Sequence, residues 1–149
     1  MEPSFEREST PQTTSSPALN DLAQPVREDK TYHGRRSADG SCDVWVVEDH
    51  TKLLTAEAVN ESATRDLPLR LDLHNHSPTG FEWGYGGSGP AQLALALLAD
   101  ALGDEIAQVQ YQDFKMAVVS GLGVCWTITA DEIRRFVAEQ ERKELNTRP

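Results

Sequence analysis

The chain has 149 residues, which leaves room for one folded domain. Its formal net charge of −10 argues against the clustered Lys and Arg of a nucleic-acid groove. No charged and apolar leader opens the sequence, and no apolar run is long enough to span a bilayer. We therefore expect a cytoplasmic protein that binds neither nucleic acid nor membrane. The acidic composition, with ten Arg against four Lys, also fits a halophilic or GC-rich source.

The chain divides into an arm, a domain and a short tail. Residues 1–29 are rich in Pro, Ser, Thr and acidic residues, so they are predicted to be a disordered arm. Residues 30–145 carry the periodic patterns of one domain, which is large enough to bury a core. Residues 146–149 are predicted to fray.

A β-hairpin is predicted at the start of the domain. Strands Tyr32–Arg35 and Cys42–Val47 flank the turn signal Asp39-Gly40. A weak helix at 52–59 and a loop at 61–66 are predicted to follow.

Apolar and polar residues alternate from Leu67 to His76, which predicts a half-buried strand. That strand would present three polar side chains on one face: Asp72, His74 and His76.

The glycine-rich loop GFEWGYGGSG, residues 80–89, leads into a helix that is apolar on all sides and therefore predicted to be central. Gly89 is expected at or near its N-cap, Pro90 at its first position and Gly103 at its C-cap. The pattern after Gly103 predicts three further elements: a helix at 105–120, a strand at 124–128 and a helix at 130–143 with a Thr129/Glu132 capping box. Glu139 and Lys143 are predicted to pair on the outside of the last helix. The order predicts an α+β fold, a small and mainly antiparallel sheet packed against about three helices.

Three blocks carry a family resemblance: Gly80–Leu98, Tyr32–Arg35 and Tyr111–Lys115. They resemble a family of small uncharacterised domains of archaea, bacteria and phages, a domain of unknown function. The resemblance covers roughly residues 30–138 and implies a compact domain that stands alone or on mobile elements. It implies no activity and no catalytic residue.

The loop permits three interpretations. Its glycines allow a tight backbone crossing against the helix, or its N–H groups and the helix N-terminus bind an anion, or its aromatic residues contact a partner. The spacing matches neither a P-loop nor a dinucleotide fingerprint. The candidate ligand-binding or partner-binding residues are Glu82, Trp83, Tyr85, Gly86, Gly87, Ser88 and Gln92.

Two chemical hypotheses are weaker. Asp72, His74 and His76 have ligand types that suit a metal ion, but a polar strand face explains them as well. Glu82 between Phe81 and Trp83 would have a raised pKa if it were buried, and backbone N–H groups of the loop are its expected partners otherwise.

The two cysteines do not form a disulfide framework, and no catalytic pairing is readable. Cys42 and Cys125 are expected to be reduced and at least half buried, with Cys125 in the core.

The sequence therefore favours an acidic cytoplasmic accessory or regulatory module over an enzyme. This module is predicted to bind a protein partner through residues 80–89 and to use no cofactor. The alternative is a small-ligand or anion-binding domain, or a metal-dependent enzyme, that uses the helix N-terminus with His74, His76 and Glu82.

Overall fold

A computed structural model of the protein describes residues 29–49 and 62–147. Its strands are β1 (Asp29–Arg36), β2 (Cys42–Asp49), β3 (Ser62–Asp66) and β4 (Cys125–Thr129). Its helices are α1 (Ser88–Leu102), α2 (Asp104–Ala117) and α3 (Ala130–Thr147), and a single 3₁₀ turn covers Val119–Gly121.

The four strands form one antiparallel sheet in the order β3–β2–β1–β4. The hairpin between β1 and β2 is confirmed, and Gly40 takes the positive φ of 91° that its turn needs. With three helices beside this sheet, the predicted α+β fold is confirmed.

One face of the sheet is buried, and its side chains alternate along the strands as β geometry requires. Tyr32, Val46 and Ile128 are opposite one another in register and all buried. Gly34 stands opposite Trp126, and a Cβ at Gly34 would overlap the indole ring. Position 34 of β1 therefore requires glycine, because the ring of Trp126 occupies the space of a side chain.

Helix α1 lies in the centre of the domain, as its apolar pattern predicts. Every residue from Gly89 to Ala99 is buried. The helix begins slightly earlier than predicted, with Gly87 as N-cap, and ends at Gly103 with φ of 101°. None of the described helices combines the length and apolar character needed to cross a membrane.

The last two helices follow the predicted pattern with shifted ends. Helix α2 ends at Ala117, and the 3₁₀ turn replaces its predicted last turn. The capping box at the start of α3 is confirmed, because Glu132 accepts from the Thr129 N–H at 2.9 Å and Thr129 Oγ1 accepts from the Glu132 N–H at 3.1 Å. Phe114 and Phe136 meet edge to face, with ring centroids 5.2 Å apart.

The structure corrects several local predictions. The segment 67–76 is irregular and not a strand, since Arg70 has a φ of 57° and residues 71–73 form a turn. Residues 62–66 form β3, where a loop was predicted.

Three further predictions concern the two ends of the chain and the connection between β2 and β3. Residues 1–28 of the predicted arm and the predicted helix at 52–59 lie outside the described residues, and Asp29 belongs to β1. Asn146 and Thr147 of the predicted tail are the last residues of α3, and residues 148–149 lie outside the described residues.

Two side-chain predictions are wrong. Cys125 is exposed on β4, while Cys42 is half-buried, and both are free thiols. Glu139 and Lys143 form no ion pair within the part of the chain that the structure describes.

Candidate functional site

The first half of the glycine-rich loop is buried in the domain. Phe81 is 9% exposed and Trp83 is 1% exposed. The Trp83 Nε1–H donates to the carbonyl of Gly123 at 2.7 Å, and its ring meets Trp126 edge-on with centroids 5.5 Å apart. Trp83, a candidate contact residue in the sequence, is therefore part of the core.

Arg36 fixes this half of the loop to strand β1. Its guanidinium donates to Glu82 Oε1 at 2.6 Å and to the Trp83 carbonyl at 2.9 Å, and its Cζ lies 5.0 Å from the Trp83 ring centroid. The sequence does not single out Arg36, because its partners Glu82 and Trp83 are 46 and 47 residues away along the chain.

Glu82 is an ion-pair partner and not an acid with a raised pKa. The hydrogen bond from Arg36 holds the pKa of Glu82 below its ordinary value. A Cβ at Gly89 would lie 2.5 Å from the Cβ of Glu82, so the same side chain explains why glycine precedes Pro90. The raised-pKa hypothesis is wrong.

The second half of the loop faces solvent. Tyr85 is 52% exposed, and Gly86 and Ser88 are exposed as well. The ring of Tyr85 lies over Gly87, where an added Cβ would be 2.5 Å from the edge of that ring. Glycine at positions 86 and 87 therefore allows the close approach of the Met116 and Tyr85 side chains.

Two segments that contact the glycine-rich loop, the end of α2 and the residues before β4, carry further exposed apolar side chains. The Gly84 N–H donates to Val119 O at 3.0 Å, and a Cβ at Gly86 would lie 3.3 Å from the Met116 sulfur. Met116 is 62% exposed, and Val124, which follows the carbonyl that Trp83 binds, is 61% exposed. We call Tyr85, Met116 and Val124 the Tyr85 patch.

Gln92, another predicted contact residue, is fully buried on α1 and fastens the segment before the loop. Its Oε1 accepts from the N–H groups of His76 at 2.8 Å and Ser77 at 3.0 Å. Its Nε2 donates to the carbonyls of Leu69 at 2.6 Å and His74 at 3.0 Å. All four hydrogen-bonding positions of the amide are used within the domain.

The three residues of the metal hypothesis take separate roles. Asp72 is bound by Arg70 at 3.0 Å, and this contact lowers the pKa of Asp72. His74 and His76 stack with centroids 4.1 Å apart, and His76 Nε2 lies 2.8 Å from Tyr111 Oη. Burial lowers the pKa of His76, with smaller contributions from His74 and Lys115. Among residues 29–49 and 62–147, no three His, Cys, Asp or Glu side chains are grouped so as to hold a metal ion.

The remaining candidates lie at the N-terminus of α1. Gly87 is its N-cap, no side chain of the described residues caps it, and its first turn contains no acidic residue. Glu82 pairs with Arg36, while His76 bonds to Tyr111 of α2 and stacks on His74. The structure therefore brings the two histidines together but shows no contact between them and Glu82 within the described residues. Anion binding at this helix end stays a prediction.

A cleft of about 590 Å³ borders the buried half of the loop. Gly80 and Phe81 line it together with the aromatic ring of Trp45 and three charged side chains that the sequence did not single out: Arg35, Asp43 and Asp66.

Comparison with known proteins places the chain in a family. The model of DUF6166, a family of unknown function, matches residues 32–139, so the chain belongs to this family. Neither the curated proteins nor the solved structures gave a match.

Proposed function

We propose that this DUF6166 member is a cytoplasmic accessory or regulatory module, not an enzyme, that binds a protein partner through the Tyr85 patch. The observation that carries the proposal is the exposure of Tyr85, Met116 and Val124 on neighbouring segments, at 52%, 62% and 61%. Exposed apolar side chains that form a contiguous surface are typical of interaction sites, and we infer that these three do so because their segments are hydrogen-bonded to one another.

The frame beneath the patch supports this proposal. Trp83 and Gly84 hydrogen-bond to the segment between α2 and β4, and Arg36 holds the adjacent Glu82. A tyrosine on a fixed loop loses little conformational entropy on binding, which makes it an efficient interface anchor. The buried Trp83 thus serves binding indirectly, by holding Tyr85 in place.

The experiment compares capture of partner proteins by the full-length wild type and by Tyr85→Ser/Met116→Ser. Both side chains are exposed, so the double variant is expected to fold with an unchanged melting temperature. It is expected to lose at least about tenfold in affinity for proteins that the wild type captures, because truncation of a central anchor costs about 1–2 kcal/mol or more.

Leu71→Ser is the matched control, since Leu71 is also an exposed apolar residue, at 37%, but lies outside the patch. It is expected to retain the wild-type partners. Equal capture by the double variant and the wild type would refute binding through the Tyr85 patch.

A thermal-shift titration separates this function from the ligand-binding alternative. Inorganic phosphate or a divalent metal that binds the folded state raises its melting temperature. A rise that disappears in Ser88→Ala, or in His74→Ala/His76→Ala, would favour the anion or metal site over the Tyr85 patch.

A further inference from the structure

A second feature, separate from the Tyr85 patch, is a cleft of about 350 Å³ between α2 and α3. Ile106 and Gln110, one turn apart on α2, are half-buried and buried, while Glu105 and Val109 form the adjacent stripe of the same helix. Glu141 of α3 lines the opposite side.

The amide oxygen of Gln110 has no hydrogen-bond partner in the described part of the chain. Gln110 is only 5% exposed, and its Oε1 is buried without a hydrogen bond. A buried amide oxygen without a donor costs free energy that a bound donor would recover. Gln110 lines the cleft, so a donor that reached its amide oxygen would approach from the cleft and would need the buried side chain to turn toward it.

The rim of the cleft combines negative charge with exposed apolar surface. Glu105 and Glu141 are exposed carboxylates, and no Lys or Arg of residues 29–49 and 62–147 lines the cleft. Val109 is 74% exposed, and Leu145, one helical turn beyond Glu141, is 67% exposed. An occupant must therefore offer a cation with several donors and an apolar stem.

We propose that this cleft binds an arginine side chain of a partner protein. The aliphatic stem packs on Ile106 and Val109, and the guanidinium donates to the Gln110 amide oxygen and to the carboxylates of Glu105 and Glu141. Arginine suits the cleft better than lysine, because its planar fork of five N–H donors serves several acceptors at once. An apolar residue next to that arginine would cover Val109 and Leu145.

Charge argues that the occupant is a separate protein. A second copy of the chain would bring a formal net charge of −10 to an acidic rim. Two of the three segments outside the described residues are acidic too, while the third, 148–149, contains Arg148. Residues 1–28 contain Arg7 and Arg27 against Glu2, Glu6, Glu8, Asp21 and Glu28. Residues 50–61 have Lys52 against Glu57 and Glu61.

The test uses the isotope-labelled full-length protein and two probes, N-acetyl-arginine amide and its citrulline counterpart, which has the same shape without the charge. In an NMR titration, the arginine probe is expected to shift the side-chain amide of Gln110 and the methyl groups of Val109 and Ile106, with a Kd on the order of 1 mM. The citrulline probe is expected to bind at least about tenfold more weakly, because its hydrogen bonds lack the charge.

Two double variants locate the site. Glu105→Gln/Glu141→Gln is expected to weaken the arginine probe about tenfold or more. Asp113→Asn/Asp43→Asn removes the same charge from exposed positions outside the cleft and is expected to bind as the wild type does.

Three results would overturn the proposal. The first is no localised shift at Gln110, and the second is equal binding of the two probes or equal weakening by both double variants. The third is a shift of the Gln110 amide with protein concentration alone, which would assign the cleft to self-association. None of these results bears on the Tyr85 patch, whose variants leave α2 residues 105–110 unchanged.

Discussion

At the scale of single residues, the buried amide of Gln92 holds the backbone of residues 67–77 in place. The segment 67–77 has almost no regular hydrogen bonding of its own, and four of its backbone groups bond to this one buried amide. The position of His76 against Tyr111, and of Ser77 under the Gly80 carbonyl at 2.6 Å, depends on that attachment. A residue that looks like a polar interruption of an apolar helix is thus the anchor of the segment.

Gln92→Leu is expected to lower the free energy of unfolding by at least about 2 kcal/mol. The leucine has nearly the same volume, but it leaves two N–H groups and two carbonyls without partners. Urea denaturation measures the loss. Gln112→Leu, at an exposed position on α2, is the matched control and should change stability by less than about 0.5 kcal/mol. A stable Gln92→Leu would show that the segment is held by other contacts.

At the scale of elements, a polar network joins the last turns of α1 to the sheet. Tyr32 of β1 donates its hydroxyl to Asp100 at 2.7 Å, and Arg65 of β3 bridges Asp100 at 2.8 Å and Glu48 at 2.6 Å. Lys30 adds a hydrogen bond to the Asp100 carbonyl at 3.2 Å. This network holds α1 against β1, β2 and β3 at the edge of the apolar core.

The network predicts a loss of stability in alkali. Burial, and then the hydrogen bond to Asp100, raise the pKa of Tyr32 well above its usual value of 10.0. The unfolded chain releases this proton above about pH 10 while the folded chain keeps it, so stability is full below pH 10 and falls as the pH rises further.

Tyr32→Phe is expected to be less stable at pH 7 by about 1 kcal/mol and to have a smaller stability loss between about pH 9.5 and 11 than the wild type. Urea denaturation across this range measures both effects. Tyr85→Phe, at an exposed ring, is the control and should keep the wild-type profile. An identical alkaline loss in Tyr32→Phe and the wild type would contradict the role of Tyr32.

At the scale of the whole molecule, charge is the dominant property. The formal net charge is −10. Four arginines of the described residues are already in ion pairs: Arg36 with Glu82, Arg65 with Glu48 and Asp100, Arg70 with Asp72 and Asp104, and Arg134 with Asp131. Many carboxylates therefore repel one another across the surface, and this repulsion opposes the compact state.

Stability is accordingly expected to rise with salt. Between about 10 mM and 500 mM NaCl the screening length falls from about 30 Å to a few Å, so repulsion between distant carboxylates weakens. A calorimetric melting temperature should rise by several degrees over this range, and KCl at equal ionic strength should act equally. A fall would show that the ion pairs of Arg36, Arg65 and Arg70 outweigh the net repulsion.

Sequence and structure agree at most of the elements whose signal is local. The apolar pattern of α1, Gly103 at its end, the hairpin turn at Gly40 and the Thr129/Glu132 box involve residues at most a few positions apart. Their propensities and hydrogen bonds therefore show in the sequence. The alternation from Leu67 to His76 has the same form but failed, because no strand of the described residues pairs with it and Gln92 binds its backbone instead.

The amino-acid sequence by itself determined the fold class, the family block and the place of the glycine-rich loop. Only the tertiary structure decided that Trp83 is core, that Tyr85 is surface and that Arg36 binds Glu82. It also decided that Gln110 lines the cleft between α2 and α3 with its amide oxygen buried and unpartnered among the described residues. The physical reason is separation along the chain: Arg36 and Glu82 are 46 residues apart, and Trp83 and Gly123 are 40 apart. Contacts between such distant residues exist only after the chain has packed, so no local pattern contains them.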